Sequence, residues 1–438
     1  MKSIKVVLLG LGTVGQGVYE SIESHREKLI QATGTEVEVV GVLVKNAMKT
    51  RDIHSAVKVT TEVSELLAIE EIDIVFEAIV GIEPAHSYIK SFLEKGCHVI
   101  SANKELLAHK GKELSSLAKK HDRILAFEAA VAGGIPLLRT IIQLLQINGI
   151  TKLEAILNGT SNYILTKMRK EKADFDDVLI EAQALGYAEA NPNNDILGTD
   201  AFYKLMILSD LVHQQQPDWE LVEKQGVNRV SLQDLIVGEK LGLRLKLVAS
   251  LQKSHTEIVA EVKPVFVSAS HPLYNVEGVD NGIVITTDLV GTILLQGPGA
   301  GSKATASAMI EDLVYIKQQG NQDLDFKRSS NHVELLAEGE QPLSLWVAVS
   351  EALNSEDLKN NYSITSKLED YNVKLIQREL LKTEDGYIVG DFLQGKEENV
   401  LLFLQQLKQD TLRFYPVSGT GLTLENITVE SPVKLTIK

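Results

Sequence analysis

The stretch IKVVLLGLGTVG, residues 4–15, decides the fold of the first third of the chain. Its apolar beginning predicts a buried strand that leads directly into the pattern G-x-G-x-x-G. Gly10, Gly12 and Gly15 permit a tight turn, close approach of a pyrophosphate and close packing of the following helix. The free N–H groups at the start of that helix favour an anion. The stretch predicts a dinucleotide site, with a glycine-rich turn that binds nothing as the alternative.

Beyond this stretch, apolar runs alternate with helical patterns. Apolar runs cover residues 37–44, 72–76, 99–100 and 124–127, and amphipathic helical patterns include 84–95 and 104–120. This order predicts a Rossmann-type doubly wound parallel sheet with helices on both faces. In that context the glycine turn is typical of NAD(P) binding.

The end of the second apolar run indicates which dinucleotide is bound. An NAD site usually has a carboxylate there for the ribose 2′-OH, but this run ends in Val44, Lys45 and Asn46. Lys45 can meet a 2′-phosphate, with Arg51 as a second cation. The residues therefore favour NADP over NAD, and a solvated lysine at a strand end is the alternative.

Length and composition limit the class of protein. The 438 residues predict two to four domains. A net charge of −15 argues against nucleic acid and anionic membranes as partners, because both need a basic surface. No apolar run reaches the ~18 residues of a membrane span. A single cysteine permits neither an internal disulfide nor a cysteine-rich metal site, which suits a cytoplasmic protein.

Candidate catalytic residues lie in two places. Lys104 follows the fourth strand, at the sheet edge where ligands bind, although it is equally placed as an ordinary first-turn helix residue. Asp200 and Lys204 are four residues apart, so they share a helix face. They form either an exposed ion pair or, because residues 205–208 are all apolar, a buried one. A lysine whose pKa is lowered by burial or by a second cation such as Lys104 can exchange a proton with a carbinol oxygen.

Carboxylates and a glycine turn complete the set of candidates. Glu189, Asp195 and Asp200 can bind a substrate ammonium group. The segment 128–136, a glutamate followed by small residues and Gly-Gly-Ile-Pro, exposes carbonyl oxygens. It is either a cation site or a tight turn before a helix.

These residues together resemble the homoserine dehydrogenase family. The family signature stands here as Ala182, Gly186, Tyr187, Ala188, Asn191, Pro192, Asp195, Ile196, Gly198, Asp200 and Lys204. Four further blocks match, at 101–108, 127–136, 156–165 and 297–313. The resemblance implies reversible NAD(P)-dependent interconversion of L-homoserine and L-aspartate 4-semialdehyde, a step of threonine and methionine biosynthesis.

The resemblance also implies residue roles. Lys204 would be the proton donor with Lys104 beside it, and Glu189 and Asp200 would contact homoserine. Asp195, Tyr187 and Thr160 would line the pocket. The cofactor would contact Thr13, Val14, Ser101, Lys104, Gly186, Glu189 and Gly301. Sodium would be held by Glu128 and the backbone carbonyls of Val131, Gly133 and Ile135.

Three positions depart from the usual family pattern. Ser101 stands for the common threonine and keeps the hydroxyl, Asn191 stands for an aspartate and removes a charge, and Lys45 stands for an arginine. The last of these weakens the preference for NADP without reversing it.

The rest of the chain predicts two further units. Alternating runs within 244–296 predict a mostly antiparallel sheet, which in the resembled family forms the interface of a homodimer or homotetramer. A helix near 305–316 would return to the nucleotide domain. Expected domain limits are 1–130 for NAD(P) binding, 131–300 for catalysis and dimerisation, and 343–438 for the tail.

The tail follows a polar linker over 317–342. Its predicted order is strand 343–349, helix 355–369, strands 372–380 and 386–392, helix 396–408 and strand 411–417. This βαββαβ order is ferredoxin-like, as in the ACT domains of many relatives. Residues 350–354 lack the acidic-Arg-Pro-Gly turn usual in ACT domains. The alternative is a structural appendage, and regulation by threonine stays an expectation.

Two alternative functions can each be weighed against a feature of the sequence. An aldehyde-oxidising semialdehyde dehydrogenase needs a thiol nucleophile, and Cys97 is the only thiol. Its position between a helix and the fourth strand is more typical of a buried small apolar residue. A non-catalytic NADP-binding sensor is the other rival, and the pair of Lys104 and Lys204 argues against it.

Overall fold

A computed structural model of the chain describes residues 3–144, 146–253, 257–319, 343–354, 367–383, 386–407 and 412–419. Most of the predicted linker, residues 320–342, lies outside the described residues. The same holds for residues 355–366 of the predicted tail helix 355–369.

The first third forms the predicted doubly wound parallel sheet. Its strands are β1 (Ile4–Leu9), β2 (Val37–Leu43), β3 (Lys58–Thr60), β4 (Ile74–Glu77), β5 (His98–Ser101) and β6 (Leu125–Ala126). All neighbours are parallel, in the order β3-β2-β1-β4-β5-β6. β3 was not predicted, because three residues at an edge, with only Thr60 buried, show no periodicity.

Helices cover both faces of this sheet. They are α1 (Thr13–Ser24), α2 (Arg26–Thr33), α3 (Val63–Leu67), α4 (Ala85–Glu94) and α5 (Lys104–Lys120). Along β1, Val6 and Leu8 join one apolar core with α1, whereas Val7 and Leu9 join the other core with α4 and α5. This alternation is the expected period of two residues for a strand buried on both sides.

A late helix completes the first of these cores. α13, Ser302–Gln319 in the structure, packs Met309 and Leu313 against Val18 and the inner side of β1. The predicted return of a helix near 305–316 to the nucleotide domain is confirmed.

The middle of the chain forms the predicted antiparallel sheet. Its strands are β7 (Ile150–Ile156), β9 (Leu243–Lys253), β10 (Ile258–Ser268), β11 (Asp280–Thr287) and β12 (Thr292–Pro298), ordered β12-β11-β7-β9-β10, and β8 (Glu223–Lys224) runs parallel to β10. The helices of this part are α6 (Ala129–Ala132), α7 (Leu137–Leu144), α8 (Gly159–Glu171), α9 (Phe175–Ala184), α10 (Asn193–Ile196), α11 (Thr199–His213) and α12 (Leu232–Lys240).

The tail extends the antiparallel sheet. It contains β13 (Ser344–Ala352), β14 (Lys374–Lys382), β15 (Tyr387–Gly395), α14 (Glu397–Gln406) and β16 (Arg413–Ser418). Its strands lie in the order β16-β13-β15-β14, with antiparallel neighbours throughout. β16 also pairs in parallel with β10 at Phe266 and Val267, so the two sheets are continuous. Within the described ranges, no helix is long and apolar enough to cross a membrane.

Candidate active site

Helix α11 carries the central ion pair. Gly198, in the left-handed region at φ +78°, turns the chain into the helix, and Asp200 and Lys204 follow on one face. Lys204 Nζ donates to Asp200 Oδ2 at 2.8 Å and to the carbonyl of Leu157 at 2.7 Å. Both side chains are buried, at 2% and 7% exposure. The alternative of an exposed surface pair is therefore wrong.

A second lysine reaches the same aspartate from the nucleotide sheet. Lys104 is the first residue of α5, directly after the carboxyl end of β5. Its Nζ forms an ion pair with Asp200 Oδ1, the oxygen that Lys204 does not use. Lys104 is half-exposed, whereas Asp200 is buried. Asp200 thus bridges the buried Lys204 and the half-exposed Lys104, and the open space beside the Lys104 ammonium group is called the cleft.

The electrostatics of this triad separate the two lysines. Burial lowers the pKa of Lys204, and the positive charge of Lys104 lowers it further, against the opposing effect of Asp200. Asp200 raises the pKa of Lys104 and outweighs the effect of its desolvation. Although burial favours the neutral acid, the two lysines hold the pKa of Asp200 well below its usual range. Lys204 is therefore the lysine better suited to exchange a proton near neutral pH.

Asn158 connects the triad to Asp195. Its side-chain amide donates to Asp200 Oδ2 at 2.9 Å and to Asp195 Oδ1 at 2.7 Å. Burial and the neighbouring Asp200 raise the pKa of Asp195. Asn158 was not among the predicted site residues. Its position as the N-cap of α8, accepting the N–H of Ser161 at 2.8 Å, lies inside the 156–165 block and was the available signal.

The loop between α9 and α10 brings the remaining substrate candidates to the same cleft. Thr160 Oγ1 donates to the carbonyl of Tyr187 at 2.6 Å, so its hydroxyl fixes this loop. The ring of Tyr187, 45% exposed, lies 5.0 Å from that of Tyr163. Glu189 is exposed, yet close enough to raise the pKa of Lys104. Gly186 takes a left-handed conformation at φ +74°.

The glycine turn has the geometry of a phosphate cradle. Gly10 has φ +98°, and a side chain at Gly15 would overlap the Gly10 carbonyl. α1 begins at Thr13 without a side-chain cap, which leaves the first N–H groups, including that of Val14, for a ligand. Nothing lies within 4 Å of where a side chain at Gly12 would begin, so the approach to the turn is open.

The late segment around Gly301 lies against this turn. Gly301 has φ +110° and precedes Ser302, whose hydroxyl donates to the carbonyl of Thr13 at 2.8 Å. The structure thereby places Gly301 beside the glycine turn, although the two are almost 300 residues apart in the sequence.

Lys45 and Arg51 lie together after the carboxyl end of β2. Lys45 is exposed, and the Arg51 guanidinium donates to the carbonyls of Asn46 and Lys49, both at 2.7 Å. These bonds hold a second cation on the short loop that Lys45 begins.

Ser101 is not free to bind a ligand through its side chain. It is fully buried; its hydroxyl donates to Glu77 Oε2 at 2.5 Å and accepts the N–H of Asn103 at 3.1 Å. Any contact of Ser101 with a cofactor would use its main chain. Glu77, a carboxylate that directly follows the third predicted apolar run, was not among the predicted site residues.

Glu128 serves a helix terminus. Its carboxylate accepts the N–H groups of Leu138 at 2.7 Å and Arg139 at 3.0 Å, at the start of α7. The Arg139 guanidinium lies 3.3 Å from the same carboxylate and 3.1 Å from Asp312. The side chain is therefore fully engaged within the protein.

The carbonyl groups assigned to sodium lie in and after α6. Val131 is in this short helix, and Gly133 and Ile135 follow it. Gly133 packs so closely on the carbonyl of Gly299 that no side chain fits. The carbonyl of Ile135 already accepts the N–H of Leu137 at 2.8 Å. In the described part of the chain, no three His, Cys, Asp or Glu side chains are arranged to hold a metal ion, so main-chain oxygens are the available donors.

Cys97 does not resemble a nucleophile. It is 1% exposed, and burial raises the pKa of its thiol to about 11. A thiol in this state is a poor source of thiolate. The structure thus gives no support to an aldehyde-oxidising mechanism through this residue.

Comparison with known proteins gives one consistent result. Residues 136–314 match the family model for homoserine dehydrogenase, and residues 10–128 match that for its NAD binding domain. The homoserine dehydrogenase of Bacillus subtilis is 41% identical over 72% of this chain and 73% of its own length. A homoserine dehydrogenase structure from Thiobacillus denitrificans gives a TM-score of 0.84 at 32% identity, covering 96% of this chain and 99% of that one. A hyperthermophilic archaeal homoserine dehydrogenase in complex with NADPH gives 0.63 at 28% identity, covering 73% and 98%.

Proposed function

Since this chain belongs to the homoserine dehydrogenase family, oxidoreductases acting on the CH–OH group of homoserine, we propose that Lys204 exchanges the proton with the substrate oxygen. The observation that carries this proposal is the shared aspartate: Asp200 binds Lys204 through one oxygen and Lys104 through the other. Burial lowers the pKa of Lys204, which favours release of its proton compared with an exposed lysine.

The proton transfer follows from this arrangement. When L-homoserine is oxidised, its carbinol carbon loses a hydride and its hydroxyl loses a proton, and Lys204 receives that proton as the base. In the reverse direction Lys204 donates the proton to the oxygen of L-aspartate 4-semialdehyde. Lys104 lowers the pKa of Lys204, and Asp200 holds both ammonium groups in place. The nicotinamide cofactor, when bound, supplies or accepts the hydride.

The carboxylates around the triad fit the substrate ammonium group. Asp200 pairs with Lys104, and Asp195 and Glu189 are close enough to raise the pKa of Lys104. Tyr187 and Thr160, joined through a hydrogen bond, keep the 186–192 loop at the rim. A negatively charged rim beside two lysines suits an amino acid whose own charge is distributed between an ammonium and a carboxylate.

NADP is the proposed cofactor. The glycine turn and the uncapped start of α1 fit a pyrophosphate. Lys45 with Arg51 would take the 2′-phosphate. The other proposed contacts of the cofactor are Gly10, Gly12, Thr13, Val14, Gly15, Ser101, Lys104, Gly186, Glu189 and Gly301. The archaeal relative solved with NADPH supports this choice. The absence of a carboxylate in residues 44–46 argues against a preference for NAD.

Sodium is proposed at the turn after α6, with a changed ligand set. The carbonyl oxygens of Val131, Gly133 and Ile135 are hard donors of the type that such an ion takes. The carboxylate of Glu128 is committed to α7, so Glu128 would contribute only through its main chain or by shaping the turn.

The remaining expectations concern the organisation of the protein. The strand order of the described tail residues, which end at 419, supports an ACT-like domain. We propose that this domain extends over 343–438, after a nucleotide domain 1–130 and a catalytic domain 131–300. We propose a homodimer or homotetramer, in the cytoplasm, acting in threonine and methionine biosynthesis, with threonine as the effector to test first.

The deciding experiment is reduction of NADP by L-homoserine with the purified protein, repeated with NAD and with Lys204→Ala. We expect turnover by the wild type and its loss in the variant, while NADPH fluorescence titration shows binding in both. Lys224→Ala is the matched control, because Lys224 is exposed and contacts Thr199 rather than the triad. Absence of turnover in the wild type would refute the assignment.

A further inference from the structure

Glu77 is a fully buried acid that the proposed reaction does not use. It ends β4 and is 0% exposed. In the sheet it pairs on one side with Leu9, which leads into the glycine turn, and on the other with Ser101, which leads to Lys104. It therefore lies between the segment proposed to hold the cofactor and the segment that carries a lysine of the triad.

The carboxyl group of Glu77 is the centre of a hydrogen-bond network. It accepts the hydroxyl of Ser101 at 2.5 Å, the N–H of Ile79 at 2.7 Å and, weakly, the amide of Asn103 at 3.5 Å. The hydroxyl of Ser101 in turn accepts the N–H of Asn103 at 3.1 Å. One side chain thus connects the loop after β4 with the segment after β5.

Asn103 extends this network into α5. Its Oδ1 accepts the N–H of Leu106 at 3.1 Å and so caps the helix, while its Nδ2 donates to the carbonyl of Gly81 at 2.7 Å. Lys104 is the next residue, and its ammonium group reaches Asp200. A shift of Asn103 would therefore move the start of α5 and the base of the Lys104 side chain.

The same loop supports the glycine turn. The N–H of Ala78 donates to the carbonyl of Leu9 at 2.9 Å. Gly10 packs closely on the carbonyl of Ala78: a Cβ atom at Gly10 would lie only 2.8 Å from the carbonyl oxygen of Ala78. The loop that Glu77 fastens through Ile79 thus contacts the turn that would bind the pyrophosphate.

We propose that Glu77 is a positioning residue that fixes the loop 78–81 to the start of α5, and thereby sets the glycine turn and Lys104 relative to each other. The proposal rests on the use of that turn and of Lys104 in the reaction proposed above. Misplacement of a reacting group by about 1 Å can cost on the order of a hundredfold in rate. A loose connection at Glu77 would act in this way without touching the substrate.

The acid need not be ionised to do this. Burial raises the pKa of Glu77 to about 7, against the opposing effect of its three neutral donors. An amide of the same shape can keep the hydrogen bonds to Ile79 and Ser101, since the hydroxyl of Ser101 can accept as well as donate. Glu77→Gln therefore tests whether the hydrogen bonds of Glu77 matter independently of its negative charge.

The test compares Glu77→Leu, Glu77→Gln and Ser101→Ala with the wild type. The readouts are the Kd for NADPH from fluorescence titration, kcat, and the separate KM values for NADP and L-homoserine. We expect Glu77→Leu to raise the Kd for NADPH and to lower kcat by about tenfold each, with the KM for homoserine within about twofold. Glu77→Gln should restore both to within about threefold, and Ser101→Ala should shift both in the direction of the leucine variant.

One control variant and three contrary outcomes make the test decisive. Asp234→Asn alters another fully buried carboxylate, one that bonds Arg413 and Tyr415 of the tail rather than a lysine of the triad, and should lower the melting temperature without moving Kd or kcat. If Glu77→Leu lowers only the melting temperature, or if Glu77→Gln is as impaired as Glu77→Leu, the proposal is wrong. Should Glu77→Leu fail to fold, unchanged kinetics in Ser101→Ala would overturn it. A wild type that binds NADPH but does not oxidise homoserine would refute the proposed function instead, and the Kd values would still test Glu77.

Discussion

Asp200 and Asp234 are both buried carboxylates paired with cations, yet they serve different ends. Asp234, 0% exposed, accepts Arg413 Nε at 2.8 and 3.0 Å and the hydroxyl of Tyr415 at 2.9 Å. It also forms a capping box with Ser231 at the start of α12. These contacts join the tail strand β16 to the catalytic part of the chain.

The choice of cation distinguishes the two regions. Asp200 is held by two lysines, one of them half-exposed in the cleft, whereas Asp234 is held by a guanidinium with a fixed planar geometry. Arginine keeps its proton under all physiological conditions, while lysine loses it when burial is sufficient. The contact of Asp234 with Arg413, which we call the junction, thus uses a cation that stays charged. The cleft uses lysine, a cation that can lose its proton.

The largest expected effect comes from exchanging the cation in the cleft. Lys204→Arg keeps a positive charge near Asp200 but provides no group that releases a proton near neutral pH. We expect the rate of homoserine oxidation to fall by about 10³-fold, while the Kd for NADPH stays within about threefold. Steady-state kinetics and fluorescence titration check this, with Lys224→Arg as control. Activity within tenfold of the wild type would contradict proton exchange by Lys204.

The second prediction concerns Glu77, a buried carboxyl whose partners among the described residues are all neutral. Glu77 has a raised pKa of about 7, so the native state binds more protons than the unfolded state between about pH 4.5 and 7. The free energy of unfolding should fall as the pH rises through this window, by at most about 3 kcal/mol, and level off above it. Denaturant unfolding of the wild type and Glu77→Gln between pH 5 and 8 measures this contribution, which the variant should lack. Equal slopes in the two proteins would argue against a raised pKa.

The third prediction exchanges arginine for lysine at the junction, which should affect stability rather than catalysis. Arg413→Lys keeps the charge but cannot contact both oxygens of Asp234 and the hydroxyl of Ser231 together. We expect the free energy of unfolding to fall by about 2 kcal/mol, with kcat unchanged. A drop in kcat without a loss of stability would show that the junction communicates with the cleft.

The smallest effect is expected at an exposed cation. Lys45 has neither burial nor a carboxylate partner among the contacts described above, so its attraction for a 2′-phosphate is screened by water. Lys45→Ala should raise the KM for NADP by about fivefold and leave that for NAD unchanged. An equal rise in the KM values for NADP and NAD would contradict the proposal that Lys45 binds the 2′-phosphate.

Local patterns in the sequence predicted much of the fold and the site. The glycine turn, the alternating runs and the four-residue spacing of Asp200 and Lys204 each depend on short-range geometry. The position of Lys104 at the carboxyl edge of β5 predicted its approach to the cleft, because ligands bind at that edge. The family resemblance added roles for single residues that spacing alone could not assign.

Other features depend on partners that lie far away in the sequence. Glu77 was missed because a single carboxylate after an apolar run gives no sign of the hydroxyl and amide that will face it. The pairing of β16 with β10 joins residues about 150 positions apart, and neither strand carries a local signal for the other. The carboxylate of Glu128 was expected near a cation, but the N–H groups of α7 compete for it, and only the folded geometry shows that they prevail.

The return of α13 to the first sheet has a consequence for how the protein is made. β1 ends at residue 9, but α13, which shares the apolar core of Val6 and Leu8 with α1, begins at residue 302. At 5–20 residues per second, roughly 15–60 s of translation separate the two. During that interval one apolar face of the nascent first sheet lacks the contacts with α13. The first sheet is therefore synthesised early, but its core is completed only late in translation. The hydrogen bond from Ser302 to the glycine turn is likewise formed only after this late segment has been synthesised.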